Sequence, residues 1–343
     1  MPREKWLVDP AELDEFQREI RELSIHDSYI VKGCAGSGKT ILALYRANDI
    51  RIDAIARGET PSFTMVVYTK ALQSFIKSGI VDLGIGPRQV IYSDQWDGSL
   101  VDHLIIDEAQ DFNKDDIDGF NGAKIKSIML YGDSQQQIYS DKLSIEEIAK
   151  QLGLVEKELF KNYRLPKLIA SFASHLGNGK DLEKKCVKTG TEKPRLKKFN
   201  TWQEELDYII GEVRTRNYTD VAILLPFNDV PAAPYNNFHR NIETVKEYFD
   251  SISVGMEYKF NDTMDLDFDS ELPKVMTYHS SKGLQFETVF VPFCDFPGHD
   301  KWFVTRYKNP LYVALTRTYR NLYLTHSERL TPFFKGIPPT KYE

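Results

Sequence analysis

The chemically most informative residues form the run G-C-A-G-S-G-K-T, which ends at Thr40. A triphosphate carries dense negative charge, so its site needs backbone N–H groups turned inward, which glycine permits, together with a cation. Lys39 should therefore reach the β- and γ-phosphates, and the Thr40 hydroxyl should hold Mg²⁺. The loop as a whole is expected to cradle the nucleotide through Gly33, Ala35, Gly36, Ser37, Gly38, Lys39 and Thr40.

A second acidic motif, D-E-A-Q-D, starts at Asp107 directly after the apolar residues L-I-I. A strand that ends in two adjacent carboxylates can place one on the Mg²⁺ shell and the other on the attacking water. We expect Asp107 to hold the metal and Glu108 to act as the general base. The alternative is an exposed acidic turn, which the apolar residues before it disfavour. The two motifs together predict hydrolysis of a nucleoside triphosphate.

Apolar runs and helix-like stretches alternate around these motifs. S-Y-I-V-K before the loop is typical of a buried strand, and I-L-A-L-Y-R-A after it is typical of a helix. Further buried strands are predicted at residues 63–69, 103–107 and 126–133, and a second alternating series closes with the strand N-L-Y-L-T-H. We predict an α/β fold with two domains on parallel sheets, residues 1–155 and 156–343, with ligands at the carboxyl ends of the strands.

The composition, with 343 residues of which 41% are hydrophobic and 27% charged, is typical of a soluble globular protein. No signal-peptide pattern and no apolar run long enough for a bilayer is present, so we expect no membrane partner. The cysteines form no ligand pair or disulfide framework, and Cys34 lies inside the phosphate loop, which favours the reducing cytoplasm. The net charge of −6 means that nucleic acid would need a local groove.

Several further motifs, taken in order along the chain, resemble those of superfamily 1 helicases of the UvrD/Rep type. Gln17 in L-D-E-F-Q-R-E-I is similar to the glutamine with which that family reads adenine. In G-D-S-Q-Q-Q-I-Y the resemblance makes Gln136 a phosphate sensor and places Tyr139 beside DNA. In K-N-Y-R it makes Tyr163 an adenine-stacking residue and Arg164 a ligand of the γ-phosphate.

The last two motifs lie near the end of the chain. M-T-Y-H-S-S-K-G-L-Q-F-E-T-V-F resembles the second-domain segment that contacts DNA and nucleotide, with Gln285 in a nucleotide-binding position. Y-V-A-L-T-R-T resembles the final motif, with Arg317 as the arginine finger. The resemblance implies two RecA-like P-loop domains with ATP and Mg²⁺ in the cleft between them, and an ATP-hydrolysing enzyme. A lone arginine is more often a surface or salt-bridge residue, so the flanking motifs carry this assignment.

Single-stranded DNA would lie across the tops of both domains, with bases stacked on aromatic rings and phosphates met by hydroxyls, N–H groups and cations. The candidate contacts are Thr69, Lys70, Tyr92, Ser93, Tyr139, Thr277, Tyr278 and His279. The structural alternative is strong for the tyrosines, because the chain has 18 of them and they cannot all stack on bases. An isolated histidine is more often a satisfied core residue, but the place of His279 after a buried strand and before S-S-K-G favours contact with a phosphate or sugar.

The chain also departs from the family pattern. Ile41 replaces an arginine beside the adenine, Asp141 a base-separating tryptophan, and Gln285 a ribose-binding glutamate. Only residues 94–106 separate Ser93 from Asp107, where the family inserts a subdomain, so the accessory subdomains are expected to be missing or reduced to loops. The expected function is an ATP-dependent single-stranded DNA translocase or helicase, with 3′→5′ movement implied by the resemblance. The alternative is a DNA-stimulated ATPase subunit that acts on a protein partner such as a nuclease.

Overall fold

A computed structural model describes residues 7–133, 142–176, 181–190, 192–229, 239–260, 266–295 and 301–343, with the backbone alone at residues 81 and 301–306. Gln136 and Tyr139, to which the sequence assigns roles, lie outside the described residues. The chain divides into two compact units, of which the N-terminal one ends at Tyr163 and the C-terminal one begins at Arg164. Each unit is built on its own parallel sheet.

In the described part of the N-terminal unit, strands join in the order β3-β2-β4-β5-β1-β6, and every pairing is parallel. The strands are β1 (Tyr29–Gly33), β2 (Phe63–Val67), β3 (Val90–Tyr92), β4 (Val101–Ile106), β5 (Lys124–Gly132) and β6 (Val155–Leu159). The helices are α1 (Glu15–Arg21), α2 (Lys39–Ala56), α3 (Lys70–Lys77), α4 (Lys114–Ala123) and α5 (Ile145–Leu152). Helices joining parallel strands cover the sheet, so the central strands are long apolar runs.

The C-terminal unit repeats this plan with the order β7-β12-β11-β8-β10-β9, again with parallel pairing throughout its described strands. The strands are β7 (Arg195–Lys198), β8 (Val221–Leu225), β9 (Glu257–Tyr258), β10 (Lys274–Thr277), β11 (Phe286–Val291) and β12 (Thr318–His326). The helices are α6 (Lys167–Ala173), α7 (Leu182–Lys185), α8 (Trp202–Arg216), α9 (Ile242–Ser251) and α10 (Lys301–Leu315). The predicted fold class, α/β with two parallel sheets, is confirmed.

The division between the units falls later than the sequence pattern indicates. The predicted boundary at residues 155 and 156 cuts into β6, which pairs with β1 from Tyr29↔Val155 to Gly33↔Leu159. This pairing keeps the chain in the N-terminal unit until Tyr163. None of the described helices combines the length with the apolar character that crossing a membrane requires.

A buried arginine holds the first helix against the phosphate-loop helix. Arg46 on α2 is 2% exposed, and its guanidinium donates to the carbonyl oxygens of Ile20 (3.0 Å) and Leu23 (2.8 Å) and to the Tyr29 hydroxyl (2.9 Å). Carbonyls at a helix end have no partner within the helix, so a cation placed there stabilises the end of α1. Arg46 thereby fixes the helix that carries Gln17.

Arg46→Met should lower the free energy of unfolding by about 2–4 kcal/mol, because the carbonyl oxygens that it binds lose their donor in a buried place. Arg51→Met is the matched control on the same helix, since Arg51 is half-buried and binds the Asn48 side chain. Its effect should stay below about 1 kcal/mol. Urea unfolding followed by circular dichroism gives both values, and equal losses in the two variants would contradict the role given to Arg46.

Candidate functional site

The phosphate loop runs from the end of β1 to the first residue of α2, as the motif predicts. Gly38 precedes the helix with φ +92°, a left-handed conformation that side chains other than glycine rarely adopt. A Cβ at this position would also lie 2.5 Å from Gln17 Nε2. Gly38 is therefore favoured by its backbone conformation, and a side chain there would also displace the Gln17 amide.

Lys39 lies inside the curve of this loop. Its side chain is largely buried, and Nζ donates to the carbonyl oxygens of Gly33 at 2.7 Å and Cys34 at 3.2 Å. Because these carbonyl partners are neutral, the ammonium remains available to an anion in the same loop. The position fits the phosphate-binding role that the sequence assigns to Lys39.

The two residues expected to hold Mg²⁺ are in direct contact. Thr40 Oγ1 donates to Asp107 Oδ2 at 2.6 Å, which joins the start of α2 to the end of β4. Asp107 is fully buried, and this burial, with the nearby charge of Glu108, raises its pKa to about 7, although the Thr40 hydrogen bond and Lys39 act in the opposite direction. A hydroxyl and a buried carboxylate are the oxygen ligands that Mg²⁺ prefers. The donor set therefore fits the metal, which would also supply the missing positive charge.

Glu108 has an uncommon backbone conformation at the position where the general base is expected. Its φ and ψ are 54° and 43°, in the left-handed region, and it precedes a short 3-10 turn, Ala109–Asp111. Such a conformation costs on the order of 1 kcal/mol for a residue with a side chain and is concentrated at functional sites. The Glu108 carboxylate accepts a hydrogen bond from Gln110 Nε2 at 2.6 Å.

The residues assigned to the adenine gather on the other side of the loop. Gln17 Oε1 accepts from the Asp14 N–H at 3.0 Å, and Gln17 Nε2 donates to the Ser37 carbonyl at 3.0 Å. Tyr163 donates its N–H to the Gly36 carbonyl at 2.9 Å and its hydroxyl to the Asp14 carboxylate. Burial and the Asp14 carboxylate raise the pKa of Tyr163, so the phenol stays protonated. The structure thus brings Gln17 and Tyr163 to the phosphate loop, and their contact with a base stays a prediction.

The arginines assigned to the γ-phosphate both contact one short segment of the C-terminal unit. Arg164 Nε donates to Gln285 Oε1 at 3.2 Å. Arg317 is 1% exposed, and its guanidinium donates to the carbonyl oxygens of Val313 at 2.9 Å and Leu284 at 3.4 Å. Arg317 is therefore held by its own unit, and its role as an arginine finger stays a prediction.

Four of the residues assigned to DNA lie together at the carboxyl ends of β2 and β3. These strands pair with Val67 opposite Tyr92, and Ser93 Oγ donates to the Tyr68 carbonyl at 3.0 Å. Thr69 begins α3 by accepting the Leu72 N–H at 3.1 Å, and the next residue is Lys70. All four assigned residues are half-buried, which leaves part of each side chain exposed at this edge: Thr69, Lys70, Tyr92 and Ser93.

The assigned residues after β10 are less uniform. Thr277 Oγ1 accepts the Ser280 N–H at 3.1 Å and so holds the turn that follows the strand. Tyr278 is 5% exposed and lies in an apolar cluster with Phe293 and Cys294, so its ring offers no face to a base, and the structural alternative holds for this tyrosine. His279 is half-buried, and burial lowers its pKa, which favours a neutral imidazole.

The sequence interpretation gave no role to Gln110, although the structure places this residue between the acidic motif and the end of β5. The available signal was its position inside D-E-A-Q-D. A glutamine has no charge and no strong preference for one element, so the motif alone did not indicate a partner.

Part of the C-terminal unit matches a known family. Residues 274–325 match the UvrD-like helicase C-terminal domain, a stretch that contains Thr277, His279, Gln285 and Arg317. A protein of Acanthamoeba polyphaga mimivirus named as an ATP-dependent DNA helicase, R568, is 26% identical over 250 residues. The predicted resemblance to UvrD-like helicases is confirmed by this match and by the name of the viral relative. The alignment covers 66% of this chain and 34% of the viral protein, so the chain spans about a third of that relative's length.

Two solved structures of helicases show lower similarity. The arterivirus nonstructural protein 10, a helicase solved in complex with DNA, has 15% sequence identity and a TM-score of 0.45, over 91% of this chain and 64% of that chain. The PRRSV helicase has 15% identity and a TM-score of 0.45, over 92% of this chain and 55% of its own.

Lys39→Ala and Glu108→Gln should separate nucleotide binding from hydrolysis in this chain. Loss of the Lys39 ammonium should weaken ATP binding about 10–100-fold, because a charged hydrogen bond to phosphate is removed. Glu108→Gln should leave binding intact and lower kcat by about 100-fold or more, because the base is lost. Nucleotide titration and phosphate release measure the two effects. The control is Lys32→Ala, because the Lys32 ammonium pairs with Glu156 on the sheet. Intact hydrolysis in Glu108→Gln would contradict the assignment of the base.

Proposed function

We propose that this chain is an ATP-dependent single-stranded DNA translocase or helicase of the UvrD-like type. The observation that carries the proposal is the 2.6 Å contact between Thr40 and Asp107, with Glu108 next in the chain. It joins a phosphate loop, a metal-ligand pair and a candidate base in one unit. The match of residues 274–325 to the UvrD-like C-terminal domain and the name of the mimivirus relative support the helicase class.

Hydrolysis would use the side chains in separate roles. Mg²⁺ held by Thr40 and Asp107 would neutralise charge on the phosphate oxygens, and Lys39 would add a fixed cation on the loop. Glu108 would orient the attacking water and take its proton. Arg164 and Arg317 are proposed to stabilise the charge that spreads over the γ-phosphoryl oxygens in the transition state.

DNA would be bound mainly without sequence preference. The edge formed by Thr69, Lys70, Tyr92 and Ser93 offers hydroxyls, one ammonium and one aromatic ring, which suits a single strand with accessible bases. His279, as a neutral imidazole, can donate its ring N–H to a phosphate or sugar oxygen without carrying charge. Movement in the 3′→5′ direction is proposed from the resemblance to UvrD/Rep helicases.

Single-stranded oligonucleotides should raise the ATPase rate, and the stimulation should weaken as salt increases, because phosphate contacts release counterions. His279→Ala should reduce the stimulation more than the rate without DNA. His175→Ala is a control in the same unit, since His175 contacts carbonyl groups of its own helix. Steady-state phosphate release at several salt concentrations gives these rates, and equal stimulation by duplex and single strand would exclude a single-strand groove.

Strand separation by this chain alone should be slow. The connection from β3 to β4 consists of residues 93–100, where the helicase family inserts a subdomain that grips the duplex. We therefore expect an ATPase that DNA stimulates but that separates a 3′-tailed duplex only inefficiently. A strand-displacement assay with purified chain, using the same duplex without a tail as the control, measures this. Fast and processive separation would show that the short connection is sufficient for unwinding.

A further inference from the structure

We propose that Gln110 is a positioning residue that holds the Glu108 carboxylate in place by tying it to the end of β5. This inference rests on the proposed ATP hydrolysis and deepens it, because Gln110 would contact neither nucleotide nor metal. It would act through Glu108 alone.

Gln110 is fully buried and uses both ends of its side chain. Its Nε2 donates to Glu108 Oε2 at 2.6 Å, and its Oε1 accepts the backbone N–H of Asp133 at 3.0 Å. A backbone N–H can only donate, so it fixes which end of the amide faces β5. The nitrogen must then face Glu108, where it meets a carboxylate that only accepts. The two partners therefore determine which end of the Gln110 amide is oxygen and which is nitrogen.

The end of β5 is shaped to admit this amide. A Cβ on Gly132 would lie 2.6 Å from Gln110 Oε1 and 2.2 Å from Ile145 Cδ1, both closer than real contacts allow. Glycine at this place leaves the space that the Gln110 side chain occupies. A substitution at Gly132 can therefore displace the amide while Gln110 itself is unchanged.

Glu108 needs such a support because its own backbone does not provide one. Its left-handed conformation lies outside any helix or strand, so no regular element fixes the direction of its side chain. A base must lie within hydrogen-bond reach of the water that it activates, and a displacement of about 1 Å can cost as much as 100-fold in rate. The Gln110 hydrogen bond restricts the carboxylate to one place.

The main test removes the donor and keeps the volume. Gln110→Met should lower kcat for ATP by about 10–100-fold in the absence of DNA, with the KM for ATP and the affinity for ATP unchanged. In a Glu108→Gln background the same substitution should change kcat by less than about twofold, because its effect passes through Glu108. Additive losses in the double variant would overturn the proposal.

Two further variants guard against a purely structural effect. Gln110→Glu keeps an acceptor for the Asp133 N–H but offers no N–H to Glu108, so its kcat should fall. This variant replaces Gln110→Met in the test if Gln110→Met folds poorly. Gly132→Ala should cause a smaller loss of kcat.

The matched control is Gln73→Met, since Gln73 is also buried and its Nε2 donates to the Val90 carbonyl at 2.8 Å. This control should lose stability without losing the DNA-free kcat.

A readout that does not need turnover separates this proposal from the proposed function. Crystal structures of the parent chain and Gln110→Met (or Gln110→Glu) should show the Glu108 carboxylate displaced, with the phosphate loop unchanged. An unmoved Glu108 would overturn the positioning role. Absence of ATP hydrolysis in the parent chain would instead overturn the proposed function, while the position of Glu108 in the crystals would still decide the role of Gln110.

Discussion

The hydrogen bond between Thr40 and Asp107 is the contact on which the N-terminal unit depends. It joins α2 to the end of β4, although β5 separates β4 from β1 in the sheet. A fully buried carboxylate is costly without partners, so Asp107 requires both this hydroxyl and the nearby Lys39. At the end of β5, which lies between β4 and β1, Gly132 leaves room for the side chains of Gln110 and Ile145. The loop, the acidic motif and the end of β5 are therefore linked by hydrogen bonds from Thr40 to Asp107, from Gln110 to Glu108 and from the Asp133 N–H to Gln110.

In each unit, backbone carbonyl oxygens hold a cationic side chain to which the sequence assigns a role at the phosphates. Lys39 donates to Gly33 and Cys34, and Arg317 donates to Val313 and Leu284. A carbonyl group is a weaker acceptor for a cation than a charged phosphate oxygen. The same side chain can thus be held in place by the protein and still prefer an anion. The proposed phosphate binding by the loop would therefore need no large rearrangement of Lys39.

The sequence was sufficient for the features that depend on apolar runs or on glycine. β2, β4 and β5 lie within or next to the predicted ranges, because strands buried on both faces are continuously apolar. β6 was missed because it is an edge strand with three exposed residues, Val155, Glu156 and Glu158, and so shows no apolar run. Tyr278 was assigned to DNA because the sequence does not show whether a tyrosine that follows a strand is buried or exposed. Gln110 was missed because its partner, the Asp133 N–H, belongs to the backbone of a distant segment.

The left-handed backbone at Glu108 has a consequence for how this chain tolerates change. Glycine and asparagine adopt that conformation at the least cost, so stability alone would favour them over glutamate at this position. If Glu108 is the base that we propose, glutamate there costs folding free energy and supplies chemistry, which is the usual relation at active sites. Selection for heat resistance after random substitution would therefore accept glycine or asparagine at this position, and such chains would lack the proposed base. Thermal stability would be a misleading measure of fitness for this protein.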